Sequence, residues 1–187
     1  MLKTCDATDP DALETVINEL QKDLGSIDSY THAIGSIYLR PAHLTPVEDW
    51  LQTIQTNLSS AFYALRSVTK IMSKQGHGNC LFFSTAAAQT GIANHEAIAA
   101  AKGGIEAMVR AAAASYASRG LRINAIAPSL TDTPLSQAIV GSEQALEISK
   151  RMTAAVRCCC CIATARCACT RRSRARTVAK PPFGCSR

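Results

Sequence analysis

The amino-acid sequence predicts an α/β fold, an incomplete doubly wound parallel sheet, and three observations carry that prediction. Short apolar runs alternate with longer helical patterns along residues 1–156. Two of the runs, Cys80–Thr85 and Leu121–Ala127, flank an Ala-rich segment of the length that joins parallel strands. Small-residue loops leave the carboxyl ends of both runs, the edge at which an open α/β sheet takes its ligand.

In chain order, Leu2–Cys5 reads as the end of a strand with Asp6 and Ala7 at its carboxyl edge. Thr8-Asp9-Pro10 supplies a cap and a helix-compatible proline, after which Leu13, Val16, Ile17 and Leu20 recur at helical spacing up to Gly25. Ile27–Ile34 is short, partly β-branched and closed by Gly35, so a strand is expected. A loop through Pro41, His43, Thr45 and Pro46 leads to a long helix from Val47 to Ser73. Trp50, Leu51, Ile54, Leu58, Phe62 and Leu65 anchor it, and Gly76-His77-Gly78 breaks it. The strand Cys80–Thr85, a loop holding Gly91, Asn94 and His95, the Ala-rich helix carrying Lys102 and the strand Leu121–Ala127 follow. Pro128 to Pro134 is a loop, and Leu135 to Thr153 holds two short helical patterns parted near Gly141-Ser142.

Charge and cysteine are unevenly placed. Residues 157–187 hold eight of the 20 Lys and Arg, none of the 14 acids and seven of the nine Cys. Residues 1–156 therefore carry 12 basic against 14 acidic side chains, a formal charge of −2, so the net +6 of the chain argues for no nucleic-acid partner of the body. Two domains are expected: a folded body at 1–156 and a Cys/Arg-rich tail at 157–187 that lacks periodicity and large apolar residues. Cys5 and Cys80 sit in apolar surroundings and are expected as free thiols of a cytoplasmic protein. No stretch approaches the roughly 18 apolar residues of a membrane span, so no membrane partner is expected.

Against that background certain residues cease to be generic. Ser84-Thr85-Ala86, then Ile98-Ala99-Ala100-Ala101-Lys102-Gly103-Gly104-Ile105-Glu106, then Asn124-Ala125-Ile126-Ala127-Pro128-Ser129 with Thr133-Pro134 behind, resemble the active-site half of a short-chain dehydrogenase/reductase. The resemblance covers residues 2 to about 155. It implies a Rossmann-like sheet, NAD or NADP as cofactor, a small alcohol or carbonyl substrate and a homo-oligomer paired through its two long helices. In that family a Ser, a Tyr and a Lys cooperate with an Asn on the preceding long helix. The Tyr hydroxyl exchanges a proton with the substrate, and the Lys favours the tyrosinate and holds the nicotinamide ribose.

Carried over residue by residue, the resemblance makes Lys102 the lysine and Asn57 the helix asparagine. It puts Thr85, with Ser84 beside it, at the serine position and Ile98, which has no proton to give, at the tyrosine. Pro128 and Thr133 match the segment that meets the nicotinamide. Asp6 and Ala7 match the residues at the adenine, and His32-Ala33-Ile34-Gly35 stands where the family has Asn-Asn-Ala-Gly, so His32 and Gly35 are expected at the cofactor. No glycine-rich strand-to-helix turn for the pyrophosphate stands anywhere in the sequence. The chain is thus expected to lack the family's first two strands, which leaves Ile27–Ile34 as an uncovered sheet edge and keeps Asp6 from its usual place. Its last strand is also missing, as if the tail were an out-of-frame reading, which transcript sequencing in independent clones tests.

Plainer alternatives stand beside these. Lys102 alone would be a surface residue pairing with Glu106. Ser84 and Thr85 would end a strand and cap a loop, and Asn57 would bond locally in its helix. His95 would either share the face of Ile98 and supply the missing proton or be an ordinary loop histidine. Cys158-x-x-Cys161 and Cys167-x-Cys169 have spacing compatible with zinc but no flanking turn signals, so no metal is expected. Two functions follow: an oxidoreductase moving hydride between NAD(P) and an alcohol or carbonyl, impaired by the loss of the tyrosine, or a catalytically inactive truncated relative acting through helix-mediated association.

Overall fold

The computed structural model describes residues 1–128 and 133–136. The helical patterns expected over 137–153 and the tail from 157 lie outside the described residues. Three parallel strands, β1 (Ser29–His32), β2 (Gly78–Phe83) and β3 (Leu121–Ile126), pair in chain order. Tyr30 faces Cys80 and His32 faces Phe82 across one ladder, while Cys80 faces Ile123 and Phe82 faces Ala125 across the other. Parallel neighbours need a helix-length crossover, and the chain supplies one between each pair.

Helix α1 (Pro10–Leu24) starts as its sequence dictates. The Asp9 carboxylate accepts hydrogen bonds from the N–H groups of Asp11 and Ala12 at 2.9 and 3.0 Å, Pro10 takes the first helical position, and Gly25 ends the helix at φ +82°. The long helix is three pieces in one run: α2 (Val47–Ile54), a π-turn over Gln55–Ser59 and α3 (Ser60–Gln75). A short α4 (Ala87–Thr90) follows β2, and α5 (Glu96–Tyr116) connects β2 to β3.

The core lies on one side of the sheet. Burial alternates along β2 and β3, so Cys80, Phe82, Leu121, Ile123 and Ala125 face Val68, Met72, Ile105 and Val109 from the helices. Gly104 lets α5 close on the π-turn, since a Cβ there would come within 2.8 Å of the Leu58 side chain. The opposite face of the sheet carries half-buried Leu81, Phe83 and Ile126, with the Arg122 Nε donating to Asn79 Oδ1 at 2.8 Å. Among the described residues the helices packed on the sheet cover one face only, the half of a doubly wound layering that these crossovers build.

Two expectations need correction. Leu2–Cys5 is not a strand: it has no ladder partner, and its Lys3 instead bonds Glu19 and Asp23 on α1 at 2.7 and 3.3 Å. Asp6 is therefore not at a strand edge. The strand expected at Ile27–Ile34 is only four residues long, and Ala33 and Ile34 leave the sheet as exposed loop. Its outer edge is unpaired among the described residues, as expected.

Candidate active site

Three loops leave the carboxyl ends of the strands, and side chains from the helix layer reach up to meet them. After β1, Gly35 is crowded by two of those side chains: a Cβ on it would stand 2.9 Å from Asn57 Oδ1 and 3.2 Å from Lys102 Nζ. Only glycine lets the loop approach both, and this contact brings three of the expected site residues together.

Asn57 is fully buried inside the π-turn, which projects it toward the strand ends. Its Nδ2 donates to the Thr53 carbonyl and to Ser36 Oγ, both at 3.0 Å, and its Oδ1 accepts from the Ser36 N–H at 3.1 Å. The local bond to Thr53 and the cross-loop bonds to Ser36 coexist. Oδ1 packs against Gly35, shut off from solvent.

Lys102 is half-buried, and its Nζ donates to the Phe83 carbonyl at 3.1 Å. Burial pushes its pKa from lysine's ordinary value down to about 8. The surface pairing with Glu106 does not form. Glu106 is 7% exposed and turns to the loop after β2, accepting from Ser84 Oγ at 2.7 Å and from Gln89 Nε2 at 3.2 Å on each oxygen, with Arg110 3.9 Å away.

That knot settles where the hydroxyls go. Ser84 Oγ points inward, toward Glu106 and the Lys102 carbonyl, and so is not free to polarise a substrate. Thr85 is half-buried and its Oγ1 accepts from the Ala87 N–H at 3.3 Å, which leaves its O–H free to donate. Ser84 N–H to Ile126 carbonyl at 2.8 Å and Ala86 N–H to Pro128 carbonyl at 3.0 Å bind the β2 exit to the β3 exit, placing Pro128 beside the site. Ile98, one turn before Lys102 on α5, is buried.

Other expected residues lie apart. His32 does not offer its ring to a cofactor: it is 2% exposed on the helix side of the sheet, with Nδ1 bonded to Tyr30 OH and Nε2 to Ser60 Oγ, both at 3.1 Å. Ser60 Oγ donates to the Thr56 carbonyl at 2.6 Å, so the imidazole proton sits on Nε2 and Tyr30 donates to Nδ1. Burial, with a smaller contribution from the Lys102 charge, lowers the His32 pKa to about 4, and the ring is neutral. Asp6 is exposed, and two bonds from Thr8 to its Oδ1 hold its carboxyl below the usual range. Ala7 is buried, and the same turn meets the helix where Gln55 Nε2 donates to the Thr8 carbonyl at 3.0 Å. Thr133 sits in a turn with Ser136. His95 turns its Nδ1 to the Ala93 carbonyl at 2.8 Å, as an ordinary loop histidine does. Among the described residues no cluster of three or more His, Cys, Asp or Glu could hold a metal.

Glu106, Gln89, Ser36 and Ser60 were not singled out by sequence reasoning. The one available signal was an acidic residue one turn beyond Lys102 inside an apolar helix face, which is unusual unless the carboxylate is buried and bonded.

This arrangement defines an open parallel α/β protein with a lysine and an asparagine converging on a glycine at the carboxyl ends of its strands. Residues 2–170 match the sequence profile of the family described as enoyl-(acyl carrier protein) reductase. Relatives include a 3beta-hydroxysteroid dehydrogenase of Mediterraneibacter gnavus, 31% identical over 71% of this chain and 48% of the relative. A 3-oxoacyl-(acyl-carrier-protein) reductase of Escherichia coli is 28% identical over 74% and 57%. The solved NAD+-bound xylitol dehydrogenase aligns at TM-score 0.71 with 26% identity, covering 82% of this chain and 64% of its own. A gluconate 5-dehydrogenase from Burkholderia cenocepacia in complex with NADP and tartrate aligns at TM-score 0.77, with 23% identity, over 82% and 60%. The chain belongs to the short-chain dehydrogenase/reductase family of oxidoreductases, and it spans about half the length of the curated relatives it matches.

Proposed function

We propose that this chain carries the nicotinamide end of a hydride-transfer site, working between NAD or NADP and a small alcohol or carbonyl substrate in the cytoplasm. The observation that carries the reading is the convergence of Asn57 Oδ1 and Lys102 Nζ on Gly35, where any side chain would fill the cradle. The residues fit the group. Lys102 Nζ has two N–H bonds left after Phe83, suited to the ribose hydroxyls, and the Pro128 segment lies alongside through Ala86. When bound, the nicotinamide supplies the hydride acceptor or donor.

The chain's own residues do the rest. Thr85 donates its free O–H to a substrate oxygen, Asn57 holds the Gly35–Ser36 loop, and Lys102 supplies positive charge. Ile98 gives no proton, so the transfer that the family makes through tyrosine falls to water here, and turnover is slow. Titration with NADH and NADPH, followed by cofactor fluorescence, tests the reading: binding at submillimolar concentration supports it, and no change at millimolar cofactor removes it.

A second reading is favoured by buried Ile98 together with the exposed apolar helix face. Val47, Leu51 and Phe62 are more than half exposed, and a hollow of about 480 Å³ opens between Leu58, Phe62, Gly104 and Met108. In that reading the chain is an inactive relative that associates with a second copy through these helices. Sedimentation of the apo protein as a dimer, with no cofactor binding, distinguishes it.

A further inference from the structure

The π-turn that carries Asn57 is tied to the sheet by a chain of buried hydrogen bonds. Within the turn the Ser60 N–H donates to the Gln55 carbonyl, bypassing the Thr56 carbonyl that a regular helix would offer it. Thr56 takes the Ser60 hydroxyl instead, at 2.6 Å. Ser60 is fully buried, and a second bond fixes its Oγ: the His32 Nε2–H donates to it at 3.1 Å, while Tyr30 OH donates to the other ring nitrogen at the same distance. His32 ends β1, and further along the same loop Ser36 meets Asn57 through both its N–H and its Oγ. The stretch from His32 to Ser36 is thus tied at both ends to one turn, by His32 to Ser60 and by Ser36 to Asn57. Between the ties stands Gly35, against Asn57 Oδ1 and Lys102 Nζ.

We propose that His32 is a positioning residue of the candidate site: through Ser60 it holds the π-turn open, and the open turn keeps Asn57 against Gly35 beside Lys102. If the turn closed into a regular helix, the Ser60 N–H would return to the Thr56 carbonyl and the side-chain bond would lose its purpose. Asn57 would then swing about 100° relative to α3 and leave the loop. The imidazole opposes this, because a displaced Ser60 would orphan its buried Nε2–H, and an unpaired buried donor is costly. His32 touches neither substrate nor cofactor in this role and acts through Ser60 and Asn57. The inference rests on the hydride-transfer reading only for what Asn57 serves, since the bonds that set the turn involve no ligand.

Hydrogen exchange at the Ser36 N–H, which donates to Asn57 Oδ1, reports whether the amide is in place and is read by NMR on the full chain. In His32→Leu this exchange is expected to speed up about tenfold, and in His32→Gln, whose side-chain amide can still donate to Ser60, to stay within about twofold of wild type. Should His32→Leu fail to fold, Ser60→Ala, which keeps the imidazole, is expected to give the same acceleration. Val109→Ala, a truncation elsewhere in the core, controls for a general loss of stability. Ser36 exchange as slow in both His32→Leu and Ser60→Ala as in wild type, as fast in Val109→Ala as in those two, or not restored by His32→Gln, overturns the proposal. NADPH titration by fluorescence separates the two readings. Fast Ser36 exchange in His32→Leu together with no cofactor binding by wild type removes the hydride-transfer reading and leaves the positioning of Asn57 standing. Cofactor bound by wild type and bound about tenfold more weakly by His32→Leu supports both.

Discussion

Two polar knots flank Lys102, and they are built on opposite principles. On one side Asn57 ties the loop after β1 to the π-turn through a neutral amide with four bonding groups, three of them used. On the other, Glu106 ties the loop after β2 to α5 through a buried carboxylate whose oxygens are taken by Ser84 and Gln89. The first leaves one acceptor position unused, packed against Gly35. The second is closed, and it draws a hydroxyl away from the cleft. A buried amide costs little and can stay partly open, whereas a buried charge must be satisfied by every donor within reach. The difference separates a neutral tie from a charged one.

The largest effect expected to sharpen this contrast comes at the open knot. Asn57→Ala removes three hydrogen bonds and strands the Ser36 N–H, costing about 3 kcal/mol in denaturant unfolding and weakening cofactor binding at least tenfold. Equal binding by this variant and wild type would mean Asn57 serves the fold alone. Glu106→Ala is expected to cost less, about 1–2 kcal/mol, because relief from burying a charge offsets the lost bonds; a larger loss than for Asn57→Ala would reverse the comparison. Cofactor affinity should change little in that variant, which fluorescence titration checks.

Gly35→Ala presses a methyl against Asn57 Oδ1. It should cost about 1 kcal/mol while abolishing cofactor binding, since the Lys102 tip can retreat but the amide cannot. Ile98→Tyr places a phenol one turn before Lys102 and should raise carbonyl reduction, measured by NADPH consumption, by about two orders of magnitude. No gain would show that position 98 is not the limiting defect.

A separate effect is in pH. His32 is neutral in the fold with pKa about 4 and titrates near 6.5 when unfolded, so the unfolded chain binds more protons in between. Stability is full above pH 6.5 and falls by about 3 kcal/mol as pH drops toward 4, a slope that His32→Gln should flatten. Lys102 has the same sign in another window. Its folded pKa of about 8 lies below its unfolded value, so stability falls from pH 10.5 to 8 and is then level.

How far the site could be read in advance follows from the same contrast. Lys102, Asn57 and Gly35 were legible because the motifs around them resemble the family's, and the fold brings the three together. Glu106 was not, because an i,i+4 Lys/Glu pair reads as surface until the helix is docked and its acid proves to face inward. His32 was misplaced for a related reason: alternation along a four-residue strand is too short to say which face meets the helices. Leu2–Cys5 has the composition of a strand, but a strand exists only beside a partner.

The π-turn at Gln55–Ser59 holds one residue more than a regular helix would spend there. Removing a single position from it would re-phase everything upstream by about 100°, swinging the Val47–Ile54 stripe around the helix axis while the α3 packing stayed put. Chain length at this point is thus a steering device, and a one-codon deletion here would be felt as a rotation and not as a hole.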